Sequence, residues 1–148
     1  MSDLNNQLAA LLDRESIRDL PKKYCDCVWR EDAEAVGALY LPNGRFSVIL
    51  DDRRIDIEGR DKIVEFIAQG LTDSPRPFIH NHVVTLIDAQ SASGRAYLDL
   101  RSGKHHFEWL GAGFYEDTYQ KEDGTWYFAS RDFHALRMEQ CPGDLDKV

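Results

Sequence analysis

The chain has 148 residues, 43 % apolar and 30 % charged, with a formal charge of −8, which is enough for one globular domain with one sizeable core. The acidic balance argues against nucleic acid or an anionic membrane as partner, because both call for a basic face. Its three cysteines, Cys25, Cys27 and Cys141, are odd in number and fit no zinc pattern, so reduced thiols in a cytoplasmic protein are expected.

The N-terminus MSDLNNQLAALLDRES is acidic and broken by charges, unlike a signal peptide. No apolar run approaches the roughly 20 residues of a membrane helix. From Leu4 to about Arg30, Leu8, Leu11, Leu12, Ile17, Leu20, Tyr24 and Val28 recur at helical spacings and predict an amphipathic helix, kinked or split by Pro21. Residues 32–40 read as a shorter helix capped by Asp32 and stopped by Pro42-Asn43-Gly44. Arg45–Leu50 and Arg54–Glu58 form a hairpin around Asp51-Asp52-Arg53, and Asp61 caps a helix KIVEFIAQGL.

Three long strands are expected at about 77–88, 95–101 and 104–120, with Ser91–Gly94 as the first turn. Glu122-Asp123-Gly124 turns the chain into a last strand, TWYFASRDFHALRM, and a polar tail covers about 139–148. There is no repeat or composition break, so residues 1–148 read as one domain. Helices followed by long antiparallel strands make an α+β fold, a strongly curved antiparallel sheet with N-terminal helices closing an apolar pocket.

His80 and His82 stand two apart in RPFIHNHVVTL, so an unbroken strand would set both on one face. His80 fits a general base; it equally fits a hydrogen-bonded interior histidine or an exposed strand position. Tyr24, on the inward stripe with Val28, either fills core or meets a substrate oxygen. Gly111 and Gly113 would leave room beside a ligand, and Asp117 continues the face of Tyr115. Arg131 reads as an inward oxygen ligand or, more simply, a surface ion pair; Asp132 and His134 share the opposite face. Two histidines on one strand face permit a metal, but nothing else has ligand spacing. Elbow, phosphate-loop, zinc-protease and dinucleotide motifs are missing from the sequence.

The stretches KKYCDCVWREDAEAVGALYLPNGRF and GAGFYEDTYQKEDGTWYFASRDF resemble the nuclear-transport-factor-two-like superfamily in its SnoaL-like branch, over about Leu8 to Met138. IHNH falls where scytalone dehydratase and hexachlorocyclohexane dehydrochlorinase carry their catalytic histidine. The resemblance implies a cone-shaped α+β barrel and a lyase that eliminates from a small aromatic or polycyclic substrate, needing no metal or organic cofactor. An isomerase or polyketide cyclase, or a binding module, would use the same pocket.

The implied catalytic residues are His80, Tyr24, Asp26 and Tyr115, and the implied substrate contacts are Trp29, His82, Tyr97, Val28, Val48 and Gly113. The family's aspartate partner of the histidine falls at Trp29, and Asp26 is the substitute considered for it. His105 and His106 lie near the position of a second family histidine. Superfamily members assemble through the outer sheet face, so a homodimer or homotrimer is the implied state.

Overall fold

Helix α1 (Asp3–Trp29) lies across one side of a six-stranded sheet in the computed structural model, which describes residues 2–139. Ser2 caps it by accepting from the Asn5 amide at 3.3 Å. Pro21 is accommodated without splitting the helix, and its apolar ring is buried against the core. Ile17, Leu20, Tyr24, Cys27 and Val28 supply the face that packs inward. Burial of each large apolar side chain is worth about 1.5–3 kcal/mol, so this half of the helix is held by packing. The short helix α2 (Ala33–Gly37) follows, with the Asp32 side chain accepting from the Ala35 amide at 3.0 Å as expected.

Strand β1 (Tyr40–Leu50) begins earlier than its sequence suggests. Pro42-Asn43-Gly44 sits inside it, where the pairing register shifts between Tyr40 and Arg45. The hairpin to β2 (Arg53–Glu58) is as expected, with Asp51 at φ 55° in the turn. Helix α3 (Arg60–Gly70) starts after Gly59 at φ 95°, so glycine occupies the cap and Asp61 serves only as an acidic first-turn residue. A 3-10 turn, Leu71–Asp73, leads into β3 (Pro75–Leu86).

The first long turn lies at 87–90, ahead of Ser91–Gly94, which already belongs to β4 (Ser91–Ser102). Strand β5 runs Trp109–Glu122, so Lys104, His105 and His106 fall in an exposed loop rather than at a strand start. Asp123 and Gly124, both at positive φ, turn the chain into β6 (Thr125–Met138). The sheet order is β2-β1-β6-β5-β4-β3, and β1 pairs β6 in parallel while every other pair is antiparallel. The sheet curves around the helices without closing. This is the expected α+β cone with one parallel seam. The tail after residue 139, including Cys141, lies outside the described residues.

Candidate functional site

The concave side of the sheet and the helices enclose a cavity of about 500 Å³. Val28 from α1, Phe46 and Val48 from β1, Phe66 from α3 and Phe133 from β6 are among its apolar walls. Four lining residues have polar side chains: Tyr24, Tyr115, Gln69 and Asp73. Gln69 and Asp73 are exposed, at the mouth, whereas Tyr24 and Tyr115 are each 4 % exposed, deep in the interior. Their rings meet edge to face at 5.8 Å.

Below these rings lies the guanidinium of Arg131, wholly buried, 3.7 Å from the Tyr115 centroid and 4.6 Å from that of Tyr24. Its Nε donates to Asp117 Oδ1 at 2.9 Å and its Nη2 to Oδ2 at 3.1 Å. Tyr119 also donates to Oδ2, at 2.9 Å. Having given its proton there, Tyr119 accepts from His82 Nε2 at 2.9 Å, which makes the neutral ring the tautomer with its proton on Nε2. Gly94 makes room for this chain: a Cβ there would meet the Tyr119 hydroxyl at 2.9 Å. Burial pushes the Tyr24 phenol up to about 12 against the pull of Arg131, and Tyr115 well above its ordinary range. Both stay protonated near neutral pH; a hydrogen bond from Tyr115 favours the Tyr24 oxygen, and each hydroxyl is able to donate to a guest that displaces that contact.

His80 is not part of this site. Between Ile79↔Leu98 and His82↔Ala96 strand β3 advances three residues while β4 advances two. That bulge inserts one residue and turns His80 to the outer face while His82 faces inward. The expectation that both histidines share a face is therefore wrong. The His80 side chain is 56 % exposed, and its Nε2 lies 2.8 Å from Asp99 Oδ2, while Trp109 Nε1 donates to Asp99 Oδ1 at 3.1 Å. His80→Ala should lower stability by less than about 1 kcal/mol, the value of an exposed pair, and leave ligand binding in the cavity unchanged. Denaturation and ligand titration check both.

Other expected positions separate in the same way. Val28 and Val48 line the cavity, as do Tyr24 and Tyr115. Asp26 is exposed and paired with Arg30 at 3.0 Å, on the wrong side of α1. Trp29 is turned outward, with Nε1 donating to the Pro77 carbonyl at 2.8 Å and its ring against Phe78 and Phe107. Tyr97 lies on the outer face beside Phe114. Gly113 gives no room to a ligand: a Cβ there would meet the His134 carbonyl at 2.3 Å, so it serves strand packing. Arg131 is a buried ion pair rather than a surface one. Asp117 was legible from its inward alternation with Tyr115 and Tyr119, and Arg131 faces it directly across β5 and β6.

His82 is half-buried, and burial lowers its pKa below 6.5. The unfolded chain then binds more protons at this position than the folded one below about pH 6.5. His82 should therefore leave stability intact above that pH and weaken it as pH falls through the window. The carboxylates with depressed pKa values, Asp56 and Asp99 among them, act at lower pH. Denaturation midpoints measured from pH 7.5 down to about 5.5 should fall in the wild type and flatten in His82→Gln.

A model of the SnoaL-like domain family matches residues 9–132. A nuclear-transport-factor-two-like protein with a cystatin-like fold from Novosphingobium aromaticivorans superposes with TM-score 0.79 at 23 % identity, over 90 % of this chain and 88 % of that one. A provisionally assigned scytalone dehydratase from Novosphingobium aromaticivorans gives 0.74 at 18 %, covering 88 % and 89 %. LinA gives 0.78 at 15 %, covering 93 % and 95 %. At these identities the likeness speaks for the fold.

Proposed function

Since the chain belongs to the SnoaL-like domain family, we propose that it binds a small, ring-sized, largely apolar molecule by one oxygen and acts on it through an enolate, as a lyase or isomerase. The observation that carries this reading is the pair of protonated phenols, Tyr24 and Tyr115, deep in a cavity whose other polar side chains, Gln69 and Asp73, stand at the mouth. Two donors held in a water-poor pocket stabilise negative charge as it grows on a carbonyl oxygen. Arg131 beneath the rings, its charge matched by Asp117, holds both in place.

A base must take the proton from the carbon beside that carbonyl. Asp73 is the one carboxylate among the lining residues, and no imidazole or thiol lines the cavity among the described residues. An ordinary carboxylate suffices when strong oxyanion donors face it across the substrate. As the proton reaches Asp73, the C–H electron pair becomes the carbon–carbon double bond and the carbonyl π pair moves onto the oxygen. The enolate then either expels a leaving group from the next carbon, which is elimination, or takes the proton back elsewhere. Scytalone dehydratase and LinA, whose names stand on two similar folds, make the lyase outcome the first to test.

The missing imidazole favours a second reading, a binding module without chemistry. Deuterium uptake from heavy water into cyclic ketones, followed by NMR, separates the two. Uptake that Asp73→Asn abolishes while binding persists supports the enzyme. Tight binding with no uptake in the wild type leaves the module.

A further inference from the structure

Helix α1 has two apolar faces pointing in opposite directions. Ile17, Leu20, Tyr24 and Val28 turn toward the sheet and are 0–6 % exposed. Leu4, Leu8, Leu11 and Leu12 are 71, 51, 58 and 59 % exposed. Leu8 and Ile17 are nine residues apart, about two and a half turns, so they stand on opposite sides of the axis. The first side chain of α1 tied to the sheet is Asp13, which accepts from Lys121 Nζ at 3.0 Å and Trp126 Nε1 at 2.9 Å. Residues 3–12 extend beyond that anchor and are exposed except for half-buried Ala10. Four leucines gathered on one face of a projecting helix are an unpaired seam, unlike apolar residues scattered singly.

We propose that this overhang pairs antiparallel with the same segment of a second copy. The spacing Leu4, Leu8, Leu11, Leu12 makes a stripe at i, i+4, i+7 and i+8. With Leu8 on a two-fold axis, Leu4 of one copy meets Leu12 of the other, so the stripe is its own complement. Charge supports a second copy as occupant. The stripe and the intervening Asn5 are neutral, so two chains of charge −8 bring no like charges into the seam. Arg14 is the first basic residue of the helix, which leaves the overhang without the cations of a membrane-surface helix. The sheet-facing side of each α1 is turned away from the seam, which leaves the leucine face uncovered by its own chain.

The paired length is about a dozen residues, roughly 18 Å, and buries less than the roughly 1,200 Å² of a standard interface. The dimer is therefore weak and concentration-dependent. Sedimentation or light scattering from low to several hundred micromolar should show the mass rising from 17.0 kDa toward twice that value. Leu8→Arg, an exposed change that leaves the fold intact, should hold the protein monomeric at every concentration. Leu8→Cys should cross-link to its own copy under mild oxidation, well above the wild-type background. A wild type that stays monomeric throughout overturns the proposal. So does a dimer that Leu8→Arg leaves unchanged, which would place association elsewhere, such as the outer sheet face. Binding to anionic vesicles without dimerisation overturns it as well.

Discussion

Asp117→Ala should lower unfolding stability by about 3–5 kcal/mol, the penalty for stripping one partner from a buried ion pair. Against a total of about 5–15 kcal/mol for a domain, the variant would sit close to unfolding at room temperature. Both side chains have zero exposure, and Arg131 finds no other carboxylate within bonding distance among the described residues. The flat faces of its guanidinium meet Tyr24, Tyr115 and Phe128, so without Asp117 the cation cannot turn toward water without breaking the core. Tyr119 would lose its acceptor at the same time and release its contact with His82. Arg131 Nη1 and the Tyr40 hydroxyl already lack an acceptor among the described residues, so the site has no spare polar partner to recruit.

The converse experiment uses the asymmetry between breaking a buried pair and replacing it. Asp117→Leu combined with Arg131→Met fills similar volume with apolar atoms and should recover most of the lost stability. It should also weaken ligand binding, because nothing then holds Tyr24 and Tyr115 from below. Urea denaturation at pH 7 measures the first effect and calorimetric titration the second. A loss of under 1 kcal/mol in Asp117→Ala would show that the pair is not what braces the cavity floor.

Alternation and turn chemistry made most of the fold readable. The inward series Tyr115, Asp117, Tyr119 on β5, the Glu122-Asp123-Gly124 turn and the bounds of β6 follow from period two and from residues that accept positive φ. What could not be read is the extra residue in β3. A bulge at His80-Asn81 needs no glycine and has no composition, yet it reverses the face of every residue before it relative to those after. It turns His80 to the outer face and leaves His82 facing inward. The two apolar faces of α1 were legible in principle, because Ile17 follows Leu12 at a spacing of five where a continuous stripe steps by three or four. Counting both clusters as one stripe concealed the overhang. The buried Arg131–Asp117 pair was harder. Charge argues for the surface, and only the register that sets Asp117 opposite Arg131, both inward, argues otherwise.

Tyr24→Phe and Tyr115→Phe should each weaken binding of a cyclic ketone or phenol by at least about tenfold, the loss expected when one buried donor to a ligand oxygen is removed. Any turnover should fall further, by about 10²-fold, because the donor is stronger toward an enolate than toward a neutral carbonyl. The substitution keeps the ring that stacks on Arg131, so folding should change little and the two effects can be separated by a melting curve. An apolar hydrocarbon of the same outline makes the decisive control. It needs no donor, so both variants should bind it as well as the wild type does. If ketone and hydrocarbon lose affinity equally, the hydroxyls merely shape the wall. If neither loses any, the ligand's oxygen lies at the mouth beside Gln69 and Asp73, and the deep end of the cone is a greasy stop. Only selective loss for the oxygenated ligand, with turnover falling more than affinity, fits an oxyanion site made by two tyrosines over a buried arginine.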